Sequence, residues 1–170
     1  MTDKFSLPGF DGESAFSGAI RFCDNGKKDW EQEWGDFYGS LKPSFRLFAT
    51  DVFGTAYGLL SNNEVAIFWP ETAELESLGI GISEFYEMIL ADPISTINLD
   101  LYMSAVKKYR KPTLDEHFAF KIETALGGEL TVENVVIMNS TEHFRSLAKL
   151  AIRIKDMPVG AKITSIQLEQ

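Results

Sequence analysis

Two histidines, one cysteine and a set of closely spaced glutamates are the residues of this chain with the means to do chemistry. His117, His143 and Cys23 are all potential zinc ligands. They fall into no HxH, HExxH or CxxC spacing, so no metal site and no cofactor are expected. Cys23 with a distant histidine has the makings of a thiol nucleophile, yet a lone cysteine is more often a small core residue. Glu71, Glu74 and Glu76 are close enough in sequence for acid–base work. Catalytic carboxylates need a pocket that separates their proton affinities, whereas a turn leading into an edge strand points to solvated side chains. No GxxxxGK[ST] phosphate loop and no GxSxG elbow occurs. Gly79-Ile80-Gly81 precedes a helix but lacks the third glycine and the βαβ setting of a dinucleotide site. No catalytic residue is therefore assigned from these motifs.

The charge pattern is more informative. Of 170 residues, 25 are acidic and 16 basic, a formal net charge of -9. From Leu47 to Val106 there is no Lys or Arg, while Asp51, Glu64, Glu71, Glu74, Glu76, Glu84, Glu87, Asp92 and Asp100 fall there. The remainder of the chain is balanced, so the whole net charge resides in one central block. Such a block repels nucleic-acid phosphates and anionic membrane surfaces. It draws a basic partner and speeds the encounter. The short cluster Lys107, Lys108, Arg110 and Lys111 does not reverse that balance. With one cysteine, no apolar run long enough to span a bilayer and no leader-like start, the sequence reads as soluble and cytoplasmic.

The elements that must carry these residues centre on Phe45 to Leu90. Residues 45–51 alternate apolar and polar, and Ala56–Leu60 and Glu64–Trp69 are strands around an Ser61-Asn62-Asn63 turn. Pro70 to Thr72 turns the chain into a short strand over 73–79, giving an antiparallel meander. Ser83 is expected to cap a helix that ends near Ala91, before Pro93. A second helix is expected over Leu99–Lys111. Trp30, Trp34, Phe37 and Tyr38 lie at helical spacing after an Asp29 cap and read as packed core. Ala15–Cys23 is a short strand ending at an Asp24-Asn25-Gly26 turn. Glu116–Leu126 is extended, Val135–Met138 is β-like, and Ser140 or Thr141 caps a last helix to Lys155. Ile163–Leu168 alternates as a final edge strand. Residues 1–14 look loosely attached. The reading is one domain over 1–170, of α+β class, a mainly antiparallel sheet packed by helices on one side.

Five segments, in order, resemble one family. They are Phe48-Ala49-Thr50-Asp51-Val52-Phe53-Gly54, Phe68-Trp69-Pro70-Glu71-Thr72-Ala73-Glu74-Leu75-Glu76, the Ile82–Leu90 helix, Leu126-Gly127-Gly128-Glu129 with Glu133-Asn134-Val135, and Ala151–Gly160. Together they are similar to the SUKH superfamily, and within it to the bacterial branch of type VI secretion immunity proteins. Ala73 stands where the family usually has a turn glycine, and Phe85 and Tyr86 where it often has tryptophan. The resemblance implies a non-enzymatic binding domain that neutralises a cognate protein toxin, for which a basic nuclease is one candidate. The residues expected to meet that partner are Asp51, Glu71, Glu74, Glu76, Glu84 and Glu87. A regulatory or scaffolding adaptor is the alternative, and a small enzyme or metal-binding protein the third reading. The sequence sets no oligomeric state.

Overall fold

Alternating apolar residues and tight Asn- and Gly-bearing turns produce a row of consecutive hairpins. The computed structural model describes residues 1–23, 30–158, 160 and 161. Six strands follow one another in sheet order: β1 (Ser14–Ala15), β2 (Ile20–Phe22), β3 (Arg46–Asp51), β4 (Ala56–Leu59), β5 (Val65–Trp69) and β6 (Glu74–Ser77), every pair antiparallel. Helix α1 (Trp30–Glu33) and a 3-10 segment at Gly35–Leu41 lie between β2 and β3. After β6 come α2 (Ile82–Ala91), α3 (Pro93–Ile97) and α4 (Leu99–Lys108), then a two-stranded sheet of β7 (Glu116–Phe120) and β8 (Val135–Asn139), and last α5 (Ser140–Ile154). The fold is α+β. The Phe118 amide donates to the Val52 carbonyl at 2.9 Å, which ties the small sheet to the large one.

The central strands are covered on both faces rather than one. Neighbouring residues on a strand point to opposite sides, and Ala56 and Tyr57 of β4 belong to different apolar clusters. Tyr57, Ala49 and Val65 pack with Phe85, Ile89, Ile97 and Tyr102 of α2, α3 and α4. Ala56, Leu47 and Phe68 pack with Trp34, Tyr38, Phe144 and Leu147. The expected aromatic set after position 29 is thus core, and Trp34 stacks on Phe144 at 4.2 Å between ring centroids. Near-continuous apolar character in β3 to β5 is the mark of strands buried on two sides.

Several local expectations are corrected. Gly81, not Ser83, caps α2, and the Glu84 carboxylate accepts the Gly81 amide at 2.8 Å. Pro93 does not only end a helix: it begins α3 at its first position, where no amide is needed, with the Asp92 side chain accepting from the Ser95 amide. Asn139 rather than Ser140 caps α5, accepting from the amides of Thr141 and Glu142. Within residues 1–14, Leu7 is buried, Ser14 begins β1, and the Thr2 carbonyl accepts from the Ser83 hydroxyl at 2.8 Å. The expected turn at 24–26, the Asp29 cap and the Ile163–Leu168 strand lie outside the described residues.

Candidate partner-binding edge

Strand β6 closes the large sheet, so one side of its backbone ladder faces away from β5. All four of its residues are exposed. The register pairs Trp69 with Glu74 and Ile67 with Glu76 on one face, and Phe68 with Leu75 on the other. Trp69 and Leu75, at 36% and 39% exposure, are large apolar side chains left at the surface here. An edge strand offers unpaired amides and carbonyls to another chain, and charged side chains on it restrict which chain can pair. Two carboxylates beside an exposed indole therefore make a face for a basic, partly apolar segment.

The turn that delivers β6 is fixed from inside. The buried Tyr38 hydroxyl donates to the Pro70 carbonyl at 2.9 Å. Ala73 takes a left-handed backbone, φ 57°, at the place where the resembling family has glycine, a conformation costly for a residue with a Cβ. Glu71, two residues earlier, is half-buried and points toward the second sheet region. Its carboxylate accepts from the Thr124 hydroxyl at 3.3 Å. Burial raises its proton affinity and the nearby Glu123 adds to the rise.

The remaining expected site residues divide. Glu84 and Glu87 are exposed on α2, but each has a local partner: Glu84 at the Gly81 cap and Glu87 accepting from the Thr2 hydroxyl at 3.0 Å. Asp51 does not belong to any surface. It is 1% exposed, and one of its oxygens accepts from the amides of Phe53 and Thr55 at 2.9 and 3.0 Å, holding the β3–β4 turn. Burial pushes its carboxyl up to about 7 against the pull of those donors. An acid in a glycine-bearing turn between apolar strands is the sequence signal of such an inward carboxylate. The exposed apolar pair was foreshadowed only by Trp69 at the end of its strand.

A second polar cluster was not visible in sequence spacing. His117 of β7 and His143 of α5 meet through their Nδ1 atoms at 3.1 Å, both buried. His143 Nε2 lies 3.8 Å from a Glu123 carboxylate oxygen and has no hydrogen-bond partner among the described residues. Burial, with the neighbouring His143 and Arg21, pushes His117 well below the usual imidazole range. Among the described residues no three His, Cys, Asp or Glu side chains are grouped to hold a metal ion, and Cys23 does not join the histidines. No helix among them is long and apolar enough to cross a membrane.

Residues 84–151, from α2 into α5, match the family model described as "T6SS immunity protein Tdi1, C-terminal". This portion of the chain is similar to type VI secretion immunity proteins. The match begins after the first two motifs of the resemblance drawn above, so it stands on different residues from them. The crystal structure of Atu4351 from Agrobacterium tumefaciens superposes with a TM-score of 0.53, covering 78% of this chain and 67% of that one at 15% identity. At that identity the likeness is one of fold. No curated protein matches the chain.

Proposed function

We propose that this protein is an immunity protein that binds a cognate toxin in the cytoplasm and neutralises it. The observation that carries the reading is the match of residues 84–151 to a type VI secretion immunity family. The first two of the ordered motifs similar to SUKH proteins support the same reading from the residues before that span. Binding uses the acidic surface, with Glu74 and Glu76 of β6 at its centre, Trp69 and Leu75 as apolar anchors, and Glu84 and Glu87 contributed by α2, while Glu71, turned toward Thr124, supports the turn into β6 from behind. Asp51 acts from beneath, by holding the β3–β4 turn. The partner is a basic protein, for which a nuclease that itself grips a polyanion is a fitting class. Catalysis by this chain is not part of the mechanism: covering the toxin's active surface suffices.

The test is co-expression with each type VI effector of the source organism in a sensitive strain, followed by purification of the complex at two salt concentrations. One effector is expected to lose its toxicity and to bind less tightly as salt rises. Glu74→Lys with Glu76→Lys is expected to weaken that binding by about tenfold or more, as like charges now face each other. If no effector is neutralised, the immunity reading fails. If protection survives the double reversal unchanged, immunity stands and the acidic edge is not its interface.

A further inference from the structure

The register of β2 and β3 sets Arg21 directly across from Thr50. Both line a cavity of about 360 Å³, with His117 as a third deeply buried polar residue and Trp30, Trp34 and Phe144 as apolar wall. Arg21 is 8% exposed. Its Nη1 donates to the main-chain carbonyls of Leu114 and Glu116, neutral groups that anchor the guanidinium without balancing its charge. Its Nε has no hydrogen-bond partner among the described residues. Asp51, Glu116 and Asp115 favour its charge from nearby, while the Glu116 carboxylate is held by both nitrogens of the Arg110 fork and Asp51 by the turn amides. A buried cation in this position is costly until an anion meets it.

The rest of the lining agrees. Lys4 and Arg46 also border the cavity, against Glu13 and Glu33, so with Arg21 the described lining residues include three cations and two carboxylates. That local excess of positive charge sits in a chain of net charge -9. The volume suits a ring with one charged head, at the small end of ligand sites. Planar guanidinium groups bind carboxylate and phosphate alike.

We propose that this cavity binds a small organic anion, its carboxylate or phosphate on Arg21 and Thr50 and its flat ring against Trp30 and Trp34. The site is independent of the toxin-binding edge.

The full chain is titrated with phenyl phosphate, benzoate and inorganic phosphate while indole fluorescence is followed. Alkylation of Cys23, the only cysteine of the chain and a lining residue, is timed in parallel. Phenyl phosphate or benzoate is expected to bind with a Kd of about 1 mM or tighter and to slow the alkylation in step with occupancy. The tighter of the two identifies the head group. Arg21→Met is expected to weaken binding by about tenfold or more. Should that variant not fold, Thr50→Val, which keeps the side-chain shape, is expected to weaken binding by a smaller factor. Absence of binding, binding without protection of Cys23, or equal binding by Thr50→Val and a folded Arg21→Met would overturn the proposal. Inorganic phosphate binding as tightly as phenyl phosphate would remove the ring from it.

Discussion

At the scale of the residue, two buried titrating groups pull stability in opposite directions. Asp51 keeps its proton in the folded chain up to about 7. The unfolded chain loses that proton near its ordinary value of about 3.9. Its contribution to stability is therefore complete at low pH and is lost as pH rises through that window, by roughly 1.4 kcal/mol per unit. Glu71, also raised by burial, acts in the same sense. His117 is pushed well down, by burial first and then by His143 and Arg21. The unfolded histidine takes up a proton below about 6.5 while the folded one stays neutral, so its contribution is lost as pH falls. Between about pH 4 and 6.5 the two slopes offset each other. Asp51→Asn is expected to leave the histidine slope exposed, so that urea midpoints fall more steeply on acidification than in the parent. His117→Gln should tilt the profile the other way. An Asp51→Asn profile parallel to the parent's would mean that the carboxylate is ionised throughout.

At the scale of the element, helix α5 shows how a cap and an apolar stripe divide the work. Asn139 satisfies two of the first amides, and Phe144, Leu147, Ala148 and Ala151 bury one face. Replacing Asn139 with Ala is expected to cost about 1 kcal/mol, read as a shift of the urea midpoint with unchanged slope. A loss far larger would mean that the α5 start also supports the His117–His143 contact. The spacing of α5 predicted its extent and apolar face well, because an amphipathic stripe of period 3.6 is a local signal. The cap was displaced by one residue, since Asn, Ser and Thr in a row all suit that position. Helix α3 was missed because Pro93 reads both as an end and as a beginning. Strand β6 was legible as a short edge strand with solvated glutamates, but the exposure of Leu75 on its other face was not. That depends on its being last in the sheet.

At the scale of the whole molecule, two apolar layers sandwich the large sheet, and the acidic edge lies outside both. Stability and binding should therefore separate. Leu147→Ala, inside the layer beneath α5, is expected to cost about 2–5 kcal/mol. Glu74→Lys with Glu76→Lys, on the exposed edge, should change stability by no more than about 0.5 kcal/mol while altering partner binding. Thermal unfolding of the two variants beside the parent checks both statements. A large loss from the edge reversal would show that β6 is held by charge interactions within the chain.

The α+β class, most of the strands and the long helices followed from the sequence, because periodicity and turn residues act over a few positions. So did the charge imbalance, which is a property of composition alone. Resemblance supplied the reading as a toxin-binding domain. The tertiary structure decided which apolar faces find a cover, and it found helices on both sides of the sheet. It also drew Asp51 inward and turned Glu71 away from the edge, leaving Glu74 and Glu76 in solvent beside Trp69. His117 and His143, 26 positions apart, and Arg21, Thr50 and Trp34 around one cavity, became neighbours only through packing. Their spacing carries no periodic signal, because contacts across separate elements depend on how those elements dock.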